Sequence, residues 1–338
     1  MNMQETVAAL CAAEGVTGRG CAVQELALKL LRPYAPDAQI DALGSVTGTM
    51  GAGRKTILLD AHLDQIGLVV TSLAERGFLH VGKVGGMDRR VLIGKPVVVY
   101  GREPVHAVIS SVPPHLASKE DGKLPEWGEL LVDTGLSEAE AARLIAPGDP
   151  ILLDVKPQML LNGRMTAQAL DNRCSVAAVL RSLELVSGEM LPCRVAVQFS
   201  MHEETNSAGA VTSAFRADAQ EAIAVDVSFA RAPGTPPDIR AKLGRGVLIG
   251  VAASLDRVIS DTLIRLAEEQ QIPYQIEAMG GSTGTNADPI AVSRGGVPTG
   301  LLSIPQRNMH TGVEVIDRSD VESTARLLAA YLRSGGRR

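Results

Sequence analysis

The sequence has few aromatic residues and no segment long and apolar enough to cross a membrane. Phenylalanine, tyrosine and tryptophan make up 3% of its 338 residues, and Trp127 is the single tryptophan. No apolar stretch reaches the roughly 18–20 residues that span a bilayer. The first residues contain neither a basic region nor a long apolar segment, so they are unlike a secretory signal. We therefore expect a cytoplasmic protein with no membrane partner.

Basic clusters and paired cysteines are also absent. No run of lysine and arginine exceeds two residues and the net charge is −5, which makes nucleic acid a poor partner. No C-x-x-C pair occurs, and a chain of this length needs no disulfides, so we expect reduced thiols. What the sequence does contain is 45% hydrophobic and 21% charged residues, an ordinary globular balance that allows a large core. The cysteines are Cys11, Cys21, Cys174 and Cys193.

Short apolar runs alternate with helical patterns at both ends of the chain. Strands are predicted at 56–60, 194–200, 222–226 and 299–304, and helices at 4–14, 21–32, 172–186, 256–270 and 319–333. Asp171 is predicted to be the N-cap of the helix at 172–186, and Ser319 and Glu322 to form a capping box in the last helix. This alternation indicates an α/β fold whose sheet is largely parallel and covered by helices on both faces.

Residues 68–160 have a different pattern. Short strands are separated by glycine and proline, and the one helical pattern, at 137–145, is short. Such a pattern is typical of a β-rich domain. We therefore predict an α/β domain formed by residues 1–67 and 161–338, with a β-rich domain of residues 68–160 inserted into it.

Ionisable side chains collect where the predicted sheet strands end. In open α/β sheets the ligand site lies outside the carboxyl ends of the strands, so these side chains can share one site. Asp226 is predicted to close its strand, and His310 follows its strand by six residues. The residues are His62, Asp64, Glu203, Glu204, Asp226 and His310, with Asp171 at the start of a helix.

Two histidines, two aspartates and one glutamate suit a pair of divalent ions such as zinc, cobalt or manganese. A carboxylate can bridge two ions ~3.5–4 Å apart, and such a pair clamps the attacking and leaving oxygens of a hydrolysis. A further carboxylate is needed to carry the proton, and Glu203 and Glu204 can divide the tasks of base and ligand. Each residue alone has a plainer explanation, such as a helix cap for Asp171. The joint pattern favours a metal site.

Several longer motifs resemble those of a known family. "AHLDQIG" resembles the A-H-x-D-x-x-G motif of the co-catalytic metallo-aminopeptidases. "QALDNR", "MHEE", "AVDVSFA" and "IPQRNMHTGVEVID" are similar to motifs of the tetrahedral, glutamyl-aminopeptidase-like branch, whose members were sometimes labelled endoglucanase M. These motifs and looser matches between them occur in the right order over about residues 5–333.

The resemblance implies a phosphorylase/hydrolase-like α/β core with a mixed sheet and an inserted β-barrel-like domain. It implies one metal ion held by His62, Asp171 and Asp226 and a second held by Asp171, Glu204 and His310, with Asp64 orienting His62 and Glu203 as general base. We therefore expect a dinuclear aminopeptidase that hydrolyses N-terminal residues from short peptides through a metal-activated water. Two divalent ions per subunit, Zn²⁺, Co²⁺ or Mn²⁺, are the expected cofactors.

The resemblance also implies how the domains are used. Residues 1–67 and 161–338 are expected to form the catalytic metallopeptidase domain. Residues 68–160 are expected to assemble the chain into a homo-oligomer, because members of this branch commonly form dodecamers.

Two segments depart from the family pattern and leave the substrate preference open. "TNSAGA" stands in place of V-G-x-R-G-A, and "GTNADP" puts Asn286 at the usual aspartate. A deacylase acting on acylated amino acids is one alternative, and an idle metal-binding assembly protein is another. A glycoside hydrolase is a third, although it needs a carboxylate pair and no metal, and this chain offers few aromatic rings for stacking sugars. All seven expected metal and catalytic positions are intact, which favours an active aminopeptidase.

Overall fold

The computed structural model describes residues 1–18, 22–111 and 124–337, so Cys21 and residues 112–123 of the predicted β-rich domain lie outside the described residues. The α-helices of the described part are α1 (Met3–Ala12), α2 (Ala22–Leu31), α3 (Glu138–Leu144), α4 (Leu170–Leu185), α5 (Ala208–Ala217), α6 (Arg257–Glu269), α7 (Ala287–Ala291) and α8 (Arg318–Ser334). Within these ranges no helix is both long and apolar enough to cross a membrane. The described cysteines, Cys11, Cys174 and Cys193, are buried free thiols.

The strands fall into a large sheet and a barrel. The sheet strands are β1 (Gln39–Ile40), β2 (Val46–Met50), β3 (Lys55–His62), β10 (Gln158–Met159), β11 (Arg164–Ala167), β12 (Cys193–Ser200), β13 (Glu221–Phe229), β14 (Val247–Ala252), β15 (Tyr274–Met279), β16 (Thr299–Arg307) and β17 (Glu314–Asp317). The barrel strands are β4 (Gly67–Leu73), β5 (Phe78–Val84), β6 (Pro96–Tyr100), β7 (Pro104–Ile109), β8 (Leu131–Asp133) and β9 (Pro150–Leu153).

Four parallel strands form the centre of the sheet, in the order β12-β3-β13-β16. Both faces of these strands are largely buried, which is why each contains a short apolar run in the sequence. Leu59 packs into the core that contains α4 and α8, whereas its neighbour Leu58 packs on the other face against Ala210 of α5 and Ile290 of α7. The carboxyl ends of the four strands therefore meet at one edge of the sheet.

The barrel closes in the order β4-β5-β8-β7-β6-β9 and lies in the chain between β3 and α4. It has a hydrophobic core of its own, which includes Leu68, Leu79 and Val132. The predicted fold class, an α/β fold with a mixed sheet flanked by helices and an inserted barrel, is confirmed.

Three predictions about the sheet and the last helix are wrong. The sheet is mixed rather than largely parallel: of the described strands outside the four central ones, only β14 and β15 pair parallel, and the other pairs are antiparallel. Asp226 does not close its strand, since β13 continues to Phe229. The predicted capping box of α8 is absent because Asp317, at the end of β17, takes the N-cap position and accepts a hydrogen bond from the Ser319 N–H at 3.0 Å. Glu322 pairs instead with Arg181, at 3.3 Å.

Candidate metal centre

The predicted site residues lie together at the carboxyl edge of the four parallel strands. His62 is the last residue of β3, and Asp226 lies three residues before the end of β13. Glu203 and Glu204 occupy the turn that follows β12, and His310 follows β16. Because these strands are neighbours in the sheet, residues far apart in sequence face one another across the edge.

Asp171 lies between the two imidazole rings. Its Oδ1 is 3.1 Å from His62 Nε2, and its Oδ2 is 3.4 Å from His310 Nε2. Its prediction as a helix N-cap is wrong, because Ala169 occupies that position and Asp171 has non-helical backbone angles. The carboxylate is thereby free to face the histidines rather than the first turn of α4.

Two groups of ligand atoms share this carboxylate. One consists of His62, Asp171 and Asp226, and the other of Asp171, Glu204 and His310, and the ligand atoms within each group lie within 4.8 Å of one another. His62 Nε2 is 3.7 Å from Asp226 Oδ1, and His310 Nε2 is 3.5 Å from Glu204 Oε2. Each of these two groups could hold a metal ion, and Asp171 belongs to both.

Burial and neighbouring charges both shift the pKa values of the cluster. Burial raises the pKa of Glu204 to about 10, and the Asp171 carboxylate adds to the rise. Burial also raises the pKa of Asp226 despite the attraction of His62. At Asp171 the hydrogen bonds from His310 and His62 outweigh burial, so its pKa lies below the usual range. Buried carboxylates collected in this way are unfavourable unless cations neutralise them, so the donor set fits divalent metal ions.

Asp64 connects the end of β3 to the turn that carries the two glutamates. Its carboxylate accepts hydrogen bonds from the N–H groups of Glu203, at 3.1 Å, and Glu204, at 3.3 Å. It also accepts one from the Thr17 hydroxyl, at 2.5 Å. The Oδ1 atom lies 3.6 Å from His62 Nδ1, whereas the main-chain carbonyl of Asp64 is nearer to that nitrogen, at 3.1 Å. Asp64 therefore fixes the glutamate turn as well as facing the histidine.

Glu314 belongs to the site although the sequence did not single it out. This buried carboxylate accepts hydrogen bonds from the N–H groups of Asp171, at 3.1 Å, and His310, at 3.0 Å. It therefore holds the main chain of two predicted ligands at a fixed separation. Glu314 lies within the motif "IPQRNMHTGVEVID", four residues after His310, but an acid that binds only backbone groups cannot be told from other strand residues by sequence.

The departure at Asn286 has a local explanation. Its amide donates to Asp60 Oδ2 at 3.0 Å and to Ser200 Oγ at 2.9 Å, and Gln198 donates to the other oxygen of Asp60 at 2.7 Å. Asp60 is fully buried, two residues before His62. An amide at position 286 satisfies this carboxylate, which an aspartate there would repel.

The Asn286→Asp variant is expected to be less stable by about 1–3 kcal/mol, because it replaces a buried donor with a second carboxyl group. Chemical unfolding of the metal-depleted protein measures this difference. The double variant Asn286→Asp/Asp60→Asn exchanges the carboxyl and amide groups between the two positions. It is expected to restore most of the lost stability. Equal stability of Asn286→Asp and the wild type would contradict the explanation.

The "TNSAGA" departure shapes the glutamate turn. The N–H groups of Thr205, Asn206 and Ser207 all donate to the His202 carbonyl, at 3.3, 3.0 and 2.7 Å. Gly209 lies at the start of α5 and packs against the turn, so a Cβ atom at this position would overlap the backbone of Met201. Main-chain hydrogen bonds from this segment therefore stabilise the turn that carries Glu203 and Glu204.

An α/β sheet with an inserted barrel and two carboxylate–imidazole groups at its edge is typical of the co-catalytic metallopeptidases. The family model for M42 glutamyl aminopeptidase matches residues 44–327, and the chain belongs to the M42 family of aminopeptidases. It is therefore a hydrolase of a metal-dependent family. The predicted family is confirmed.

Individual relatives agree with this assignment. The chain is 30% identical to the lysyl aminopeptidase of Pyrococcus furiosus over 325 residues, 94% of this chain and 93% of that one. It is similar in structure to a TET aminopeptidase from a marine sediment archaeon of the Thaumarchaeota, with a TM-score of 0.93 and 30% sequence identity. The match covers 99% of this chain and 96% of that one. It is also similar to a TET1 peptidase of Pyrococcus horikoshii, with a TM-score of 0.87 and 29% sequence identity. The match covers 98% of this chain and 99% of that one.

Proposed function

We propose that the protein is a dinuclear aminopeptidase that removes N-terminal residues from short peptides. The observation that carries the proposal is the pair of ligand groups that share Asp171. A single carboxylate within reach of two imidazoles, with a further carboxylate beside each, is the donor set of a bridged pair of divalent ions.

In this proposal His62, Asp171 and Asp226 hold one ion, and Asp171, Glu204 and His310 hold the other. Imidazole and carboxylate donors suit Zn²⁺, Co²⁺ and Mn²⁺. When bound, such a pair supplies a Lewis acid for the scissile carbonyl and lowers the pKa of the attacking water. Asp64 and Glu314 keep the ligands in place through the main-chain hydrogen bonds of the Glu203–Glu204 turn and of Asp171 and His310.

We assign the general base to Glu203. The side chain of Glu203 is 15% exposed and that of Glu204 is 5% exposed, so Glu203 is the more open to a substrate. Its Oε2 lies 3.9 Å from His62 Nε2, close to the ligands. Burial raises the pKa of Glu203. A carboxylate with a raised pKa can accept the proton of the attacking water and then donate it to the leaving amine.

Activity is expected to require divalent metal. The experiment is hydrolysis of a panel of aminoacyl anilides and short peptides by metal-depleted protein, alone and with Zn²⁺, Co²⁺ or Mn²⁺. We expect release of N-terminal residues only in the presence of metal. Full activity of a protein that contains no metal by elemental analysis would refute the dinuclear assignment, and hydrolysis of acylated amino acids alone would favour a deacylase.

We also propose that residues 68–160 form an oligomerisation domain, with a dodecamer as the expected assembly. The TET1 peptidase of Pyrococcus horikoshii, which the chain resembles over 98% of its length, can assemble into a tetrahedron or a large octahedral shell. Closed symmetric assemblies are the usual form of homo-oligomers. Light scattering is expected to give a mass far above that of a dimer, and a monomer at micromolar concentration would contradict the proposal.

A further inference from the structure

The segment that follows strand β5 of the barrel lies next to the candidate metal centre. Strands β4 and β5 pair antiparallel, with Gly67 opposite Val84. Because β4 begins three residues after Asp64, the end of β5 lies beside the start of β4 and next to the site. The segment that follows, residues 85–87, therefore leaves the barrel at the metal centre. Met87 lines a pocket together with Asp171 and Glu204.

Two glycines of this segment touch the second ligand group. A Cβ atom placed on Gly86 would overlap the imidazole of His310, with Nδ1 the nearest atom and Cε1 at 2.8 Å. A Cβ atom placed on Gly85 would lie 3.3 Å from Cβ of Glu204 and 2.7 Å from Cγ2 of Ile66. The backbone of the barrel thus packs directly against both residues that accompany Asp171 in this group.

We propose that Gly86 is a positioning residue that sets the ring of His310 for metal binding. The two histidines of the site differ in how they are held: the side chain of His62 is 2% exposed, whereas that of His310 is 35% exposed. The main chain of His310 is fixed by its N–H bond to Glu314, but that bond leaves the ring free to rotate. The backbone at Gly86 supplies a wall on the Nδ1 side, so that Nε2 stays directed toward Asp171 and Glu204.

Glycine is needed at this position for space rather than for backbone conformation. Gly85 has a φ of +72°, but the φ of Gly86 lies outside the left-handed region, so alanine there carries no penalty from a positive φ. The methyl group of Gly86→Ala would push the ring of His310 away from its present place. The expected defect is confined to the ion held by Glu204 and His310, because the other ion is held by His62 and Asp226.

The inference rests on the proposed dinuclear centre, and titration of Co²⁺ into metal-depleted protein tests both. The wild type is expected to bind two ions. Gly86→Ala is expected to bind one ion normally and the second about 10- to 100-fold more weakly, the usual effect of disturbing the support of a ligand. Gly128→Ala is the matched control in the barrel, since a Cβ atom there meets nothing within 4 Å; it is expected to bind both ions normally.

Two results would overturn the inference. If the wild type binds two ions and Gly86→Ala binds both equally well, the ring of His310 does not depend on Gly86. If the wild type binds none, the proposed metal centre itself is wrong, which is a distinct result.

A double-mutant cycle separates positioning from general damage to the fold. If Gly86 acts through His310, Gly86→Ala weakens binding of the second ion in the wild type but has no further effect when His310 is already alanine. An equal loss in both backgrounds would contradict the inference. Thermal unfolding of the metal-free proteins is expected to give the same Tm for Gly86→Ala and the wild type, because the displaced ring can turn toward solvent.

Discussion

Glu203→Gln is expected to slow peptide hydrolysis by about 10²–10⁴-fold while the protein folds and binds both metal ions. The amide keeps the shape and most of the hydrogen bonding of the carboxylate but cannot accept a proton. The effect should fall on kcat, since the substitution removes proton transfer and leaves the ligand groups around Asp171 intact. The measurement is kcat together with metal content by elemental analysis.

Glu204→Gln is the matched comparison, because the two glutamates are neighbours in one turn and undergo the same chemical change. It is expected to weaken the binding of one ion, since a neutral amide is a poorer ligand than a carboxylate. If Glu203→Gln lost metal while Glu204→Gln kept both ions and lost only rate, the two roles would be reversed. If neither variant changed in rate or metal content, the glutamate turn would have no part in the reaction.

Asp171→Asn is expected to have the largest effect on metal binding. Asp171 belongs to both ligand groups, so one substitution removes a negative charge from each. We expect both ions to bind weakly, with a rate loss of at least about 10³-fold, because metal catalysis contributes several kcal/mol. Metal titration and kcat at saturating metal measure the two effects.

Asp226→Asn is the control for Asp171→Asn, because Asp226 belongs to one ligand group only. It is expected to weaken the binding of one ion and to leave the binding of the other unchanged. If the Asp171 and Asp226 variants lost the same single ion, Asp171 would not bridge the two positions.

The parts of the fold that could be predicted are those buried on both faces. Each of the four central strands contains a short apolar run, such as residues 57–59 in β3 and 195–197 in β12, because helices cover both sides of the sheet. The border strands were not predicted: β10 has two residues, both exposed, and depends on its pairing with β11. Such strands form because a neighbour offers hydrogen-bonding groups, and that information lies elsewhere in the chain.

The same distinction holds for the site. Residues proposed to carry the chemistry, such as His62 and Glu203, have side chains whose types and order suggest a metal centre. Residues that support the site through contacts with or of the main chain cannot be recognised from their residue type. Glu314 accepts hydrogen bonds from two main-chain N–H groups, and Gly86, which has no side chain, is proposed to position His310 through its backbone. Asp171 was expected to cap a helix because the sequence places it correctly for that role, but the tertiary structure turns its carboxylate toward two histidines.

The candidate ligands come from five separate segments of the chain, and His62 and Asp171 are 109 residues apart in sequence. An unfolded chain cannot bring these donors together, so metal ions would bind almost entirely to the native state. Each ion would then act as a removable cross-link whose binding energy is added to the folding free energy. Raising free metal to on the order of a hundred times Kd would stabilise the protein by about 2.7 kcal/mol per site. Resistance to heat would therefore depend on metal supply, and a cell that withdrew the metal would weaken the enzyme's fold as well as its activity.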